Sequence, residues 1–126
     1  MRKIFSVALV AVICFIVSSC SFSASKIQSN LTKRDYSIIE IDENRLEELN
    51  NDLTYIYSGK GSIIYGFYAV HNESQKSVTV LEFSNKNDLT IMYKAVKETI
   101  GKDEAVDFSG YILVFGNADG VKTALK

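Results

Sequence analysis

Few side chains in this chain of 126 residues could do chemistry. The only thiols are Cys14 and Cys20, and a thiolate can attack an electrophile, ligate a metal or carry a covalent group. His71 is the only histidine, placed where an aromatic run meets a polar turn. As a general base it needs a convergent partner, and the nearest acid in sequence is Glu73 in that same turn. A zinc-type site takes three or four His or Cys ligands, which this count excludes, so no metal or other cofactor is expected. The acids Glu40, Asp42, Glu43, Glu47, Glu48 and Asp52 lack the alternating spacing and central glycine of a calcium loop. They read as a helix cap and a solvated helix face. Glu82, Asp107 and Tyr111 remain as a conceivable carboxylate and tyrosine site on neighbouring strands. Ser58-Gly59-Lys60-Gly61 follows a helix instead of opening one, so it is not expected to cradle a phosphate.

Cys20 is different because of what precedes it. Met1-Arg2-Lys3 is a positive head, and Ile4 to Val17 is apolar apart from Ser6. A bilayer span takes about 20 apolar residues, so this run has the length of a signal-peptide core instead. It closes on Val17-Ser18-Ser19-Cys20, a branched apolar residue, two small ones and a cysteine. The arrangement resembles the signal peptide and lipobox of bacterial lipoproteins, over residues 1–20. The resemblance implies diacylglycerol on the Cys20 sulfur, cleavage before Cys20, and a chain held on the extracytoplasmic face of a cell membrane. Burial contributes about 0.8 kcal/mol per CH₂, and two acyl chains hold stably where one holds marginally. Two other readings stay open on the residues alone: a secretory peptide cut near Ser23-Ala24-Ser25, and an uncleaved N-terminal anchor.

Once residues 1–19 are removed, Arg2, Lys3 and Cys14 leave with them. Twelve basic residues then face fifteen acidic ones, a net charge of −3. That balance and export together argue against a nucleic-acid partner. With Cys20 lipidated, no disulfide, thiol nucleophile or cysteine metal site remains. The 47% hydrophobic and 11% aromatic content suits a globular chain. The expected division is a signal peptide at 1–19, lipidated Cys20 with a flexible, serine-rich tether through 34, and one small domain at 35–126.

Within that domain, Tyr36 to Ile41 reads as a strand ending at Asp42, a good helix N-cap. Leu46, Leu49, Leu53, Ile56 and Tyr57 then form one apolar stripe, predicting a helix over 43–57. Residues 62–71 and 77–83 read as a hairpin around the polar turn 72–76. Ser84 can cap a second helix with Leu89, Met92, Tyr93, Val96 and Ile100 on its buried face, stopped by Gly101. A last strand covers about 107–116, and Asn117 caps a short terminal helix. The order is strand, helix, strand, strand, helix, strand, the split βαβ or ferredoxin-like α+β pattern. It places two helices on one face of an antiparallel sheet, with strands 36–41 and 107–116 in the middle.

In such a sheet one face is open. Tyr65, Phe67, Tyr68 and Tyr111 are therefore candidates for an exposed aromatic binding surface. The function expected is a non-enzymatic, membrane-tethered interaction module of the cell envelope. Its competitors are an envelope enzyme built on Glu82, Asp107 and Tyr111, and a structural lipoprotein that self-associates.

Overall fold

The computed structural model describes residues 23–126, so the signal peptide and Cys20 lie outside the described residues. In chain order the elements are helix α1 (Ala24–Thr32), strand β1 (Tyr36–Glu40) and helix α2 (Glu43–Tyr57). Strands β2 (Ile63–His71) and β3 (Ser77–Phe83) follow, then helix α3 (Lys86–Thr99). Strands β4 (Glu104–Ser109) and β5 (Ile112–Asn117) and helix α4 (Ala118–Ala124) complete the chain. Short polar side chains start the helices. Asp42 accepts the Arg45 N–H at 2.8 Å, Asn85 that of Asp88 at 3.0 Å, and Asn117 that of Gly120 at 2.7 Å. The cap of α3 is thus Asn85, one residue beyond the expected Ser84.

The class is the expected α+β, and the antiparallel sheet has five strands where four are expected. Two details of the sheet differ. The expected 107–116 strand is two strands, folded back at Gly110-Tyr111. Gly110 has φ +60°, and a two-residue hairpin loop takes glycine at that first position. In sequence the apolar residues on both sides of the turn merge into one run. The strand order is β1-β2-β3-β5-β4, which puts β1 at an edge instead of in the middle. The right-handed crossover rule governs parallel strands, and β1 pairs β2 antiparallel, Glu40 opposite Phe67.

Both sheet faces are covered. As expected, α2 and α3 share one face, where Ile41, Leu53, Ile63, Leu81, Phe83, Leu89 and Leu113 form a buried cluster. On the other, Phe67, Val78, Val80 and Val114 pack with Val121 and Ala124 of α4 and with Ile27 and Leu31 of α1. That helix α1 replaces most of the expected tether. Ser23 caps it by accepting the Lys26 N–H at 3.2 Å, and Ile27 and Leu31, one turn apart, are fully buried. Asn30 ties it to α4 by donating to the Ala124 carbonyl at 2.9 Å. Two apolar residues in a serine-rich stretch make too short a stripe to show as periodicity. The sheet surface they cover is what makes them helical.

Gly120 shows how closely α4 seats on the sheet. A Cβ there would lie 2.2 Å from Val78 Cγ2 and 2.8 Å from the Tyr36 hydroxyl. If α1 is part of the core, Ile27→Ala should lower stability by about 3 kcal/mol, the usual cost of emptying a buried aliphatic site. Urea denaturation would measure this, and a tether residue would show almost no change.

Candidate interaction surface

The strand registers define two ends of the molecule. At one end β2 and β5 begin while β3 and β4 finish, with Ile63 opposite Phe83, Glu82 opposite Ile112, and Ser109 opposite Ile112. The Phe83 N–H donates to the Tyr111 carbonyl at 2.9 Å, so the β4–β5 turn belongs to this end. The start of α1 arrives here too: Ala24, Ser25 and Gln28 line a recess with Ile64, Tyr65 and Glu82. So does the second half of α2: Asn50, at the helix midpoint, exchanges two hydrogen bonds with the Ile63 backbone, at 2.8 and 3.0 Å, and the short loop after Tyr57 leads into β2.

Of the four aromatics expected on an open sheet face, only Tyr111 is exposed. Phe67 is fully buried in the α1–α4 layer, and Tyr68 is half-buried beneath α2 and α3. Tyr65 is a fastener. Its hydroxyl donates to Glu40 at 2.9 Å and accepts from Gln28 at 2.8 Å, joining β2 to β1 and α1. Burial first, and then the Glu40 carboxylate, push its ionisation above the ordinary tyrosine value. The expected aromatic face does not exist because helices lie on both sides of the sheet.

Large apolar side chains are exposed elsewhere. Among the described residues they are Ile39, Tyr55, Ile56, Tyr57, Ile64, Phe108 and Tyr111. All except Ile39 belong to segments of the end just described. Tyr55, Ile56 and Tyr57 are 82%, 64% and 45% exposed, although Ile56 and Tyr57 continue the expected core stripe. The sequence did carry a sign of this. Three consecutive helical residues span about 200° of arc and cannot all face one core. At the β4–β5 turn, the Lys86 ammonium lies 4.8 Å from the Phe108 ring centre and 5.4 Å from that of Tyr111. It also donates to the Gly110 carbonyl. Tyr93 meets Phe108 edge-on at 5.5 Å.

The candidate acids do not converge. Glu82 on β3 and Asp107 on β4 are separated by β5, two strand spacings or about 10 Å. His71 is a turn brace: its Nδ1 accepts the Glu73 and Ser74 N–H groups at 3.3 and 3.2 Å, and its ring meets Tyr36 edge-on at 5.1 Å. No group of three or more His, Cys, Asp and Glu able to hold a metal occurs among the described residues. At the opposite end, two polar clefts share Lys76, Asn117 and Asp119. One of them, of about 520 Å³, adds Lys102, Asp103 and Glu104, and the other adds Arg34, Tyr36 and His71.

The loop 58–61 does form an anion cradle, for an anion of the chain itself. The Lys60 and Ser62 N–H groups donate to the two carboxylate oxygens of Asp88, at 2.8 and 2.9 Å. Asp88 is fully buried in the first turn of α3. Burial alone would raise its pKa, but the backbone hydrogen bonds outweigh it and hold the carboxyl below the ordinary aspartate value. A depressed folded pKa stabilises the fold fully above the unfolded value and loses that contribution as pH falls through the folded one. Stability should therefore drop below about pH 4 partly through Asp88. Asp88→Asn, which turns a donor toward a donor, should cost on the order of 3 kcal/mol. Urea titrations at pH 7 and pH 3 should show the variant losing less on acidification than the parent chain.

Comparison of the chain with protein-family models, with curated proteins and with solved structures yields no match.

Proposed function

We propose that this chain is a bacterial lipoprotein, held by a diacylated Cys20 on the extracytoplasmic face of a cell membrane. Its domain acts there as a non-enzymatic interaction module of the envelope. The observation that carries this reading is Val17-Ser18-Ser19-Cys20, which closes an apolar run too short to span a bilayer and stands just ahead of α1. The polarity of the domain supports it. Apolar side chains gather at the end where α1 begins, and polar clefts lie at the other. A domain anchored by its N-terminus then presents the end bearing Lys76, Asn117 and Asp119 to solution, as the place for a soluble envelope partner. The separation of Glu82 from Asp107 favours binding over catalysis as its role.

Intact-mass measurement on protein recovered from bacterial membranes tests the anchor. The expected species begins at Cys20 and carries the added mass of a diacylglyceryl group. Cys20→Ser should leave the precursor unprocessed at this position and without lipid. A soluble species of the parent chain starting near Ala24 would overturn the reading. It would also strip α1 of its Ser23 cap.

A further inference from the structure

Resting on the lipoprotein reading, we infer that the domain lies directly on the bilayer, with the end that carries Ile64, Phe108 and Tyr111 seated in the headgroup region. The length of chain before the fold is the first ground. Only Ser21, Phe22 and Ser23 separate Cys20 from Ala24, the first residue of α1. Fully extended, those four steps reach about 14 Å. A lipid on Cys20 therefore brings the start of α1 to the membrane surface, and no tether holds the domain away from it.

What surrounds that start is the second ground. Ala24 and Ser25 border the same recess as Ile64, which is 57% exposed as the second residue of β2. The β4–β5 turn, with Phe108 and Tyr111 at 41% and 51% exposure, caps the same end of the sheet. The last turn of α2, with Tyr55, Ile56 and Tyr57, leads into the loop that opens β2 there. Six of the seven exposed large apolar side chains among the described residues thus gather where the anchor must pull. Scattered exposed apolar residues need no explanation, but concentration at one end does.

Chemistry selects lipid as the occupant. Tyrosine and lysine with an occasional aliphatic are the side chains that settle at a membrane interface, rings at headgroup depth and ammonium groups at the phosphates. Lys26, Lys60 and Lys86 are exposed at this end, the last of them over the rings of Phe108 and Tyr111. Each lysine close to an anionic surface adds a modest attraction, so lipid holding and surface contact act together.

The mature chain offers a clean probe, because Cys14 is removed and Cys20 is blocked by lipid. A cysteine introduced at Ile64→Cys or Glu73→Cys is then the only free thiol. Each variant of the full-length, host-processed protein would carry an environment-sensitive fluorophore in vesicles of phosphatidylethanolamine and phosphatidylglycerol. Aqueous iodide and a nitroxide-bearing lipid serve as quenchers. The inference expects the label at 64 to be quenched by the nitroxide lipid and to show a several-fold smaller iodide quenching constant than the label at 73, in the β2–β3 turn. Equal iodide quenching at both sites, in protein whose mass shows the lipid, would overturn the orientation and leave the lipoprotein reading standing. Shielding at 64 from both quenchers would place a protein or a second copy on this end and overturn it likewise. Protein whose mass lacks the lipid would overturn both.

Discussion

The buried carboxylate of Asp88 is the interaction on which the layout of this domain depends. It sits in the first turn of α3, where the positive end of the helix dipole favours a negative charge, and binds the backbone of the loop between α2 and β2. Helix α2 can end abruptly because Ser58 takes a left-handed conformation, at φ 59°. The loop can then approach Asp88 because Gly59 has no side chain. A Cβ there would lie 2.8 Å from the carboxylate oxygen. One charged group thereby sets where α2 stops, where β2 starts and how α3 docks beside them.

From that join outward, the sheet is closed in by helices on each face. On the α2–α3 side the closure follows from long amphipathic helices. On the other side it comes from two short ones, α1 and α4, which cover the surface together; Asn30 stitches α1 to α4, and Gln28 stitches it to Tyr65. Neither helix is long enough to be stable alone. Their stability is the burial of Ile27, Leu31, Val121 and Ala124 against Phe67, Val78, Val80 and Val114. With both faces occupied, the remaining apolar surface falls at the sheet end, and the polar clefts fall at the opposite end.

That distribution connects fold to proposed role. Under the proposed anchoring, a lipid on Cys20, four residues ahead of Ala24, would act on a folded body and not at the far end of a long tether. The aromatic content of the chain therefore divides by position. Phe67, Tyr65 and Tyr68 serve the interior and its fasteners, while Tyr55, Tyr57, Phe108 and Tyr111 face outward.

The sequence by itself determined the local features: the lipobox-like spacing, the Asp42 and Asn117 caps, the 43–57 helix, the strands expected at 62–71 and 77–83, and the α+β class. These depend on periodicity and on side chains acting within a turn of their own position. The tertiary structure decided what depends on distant partners. Helix α1 exists because Phe67, Val78, Val80 and Val114, 36 residues and more away, cover Ile27 and Leu31. Strand β1 takes an edge because of how it pairs, and Phe67 is core because α1 and α4 lie over it. Ile56 and Tyr57 continue a stripe that reads as buried, and they are exposed because no layer built from the described residues extends over that last turn of α2. Burial is a property of what lies opposite a residue, and in this chain what lies opposite comes from far along the sequence.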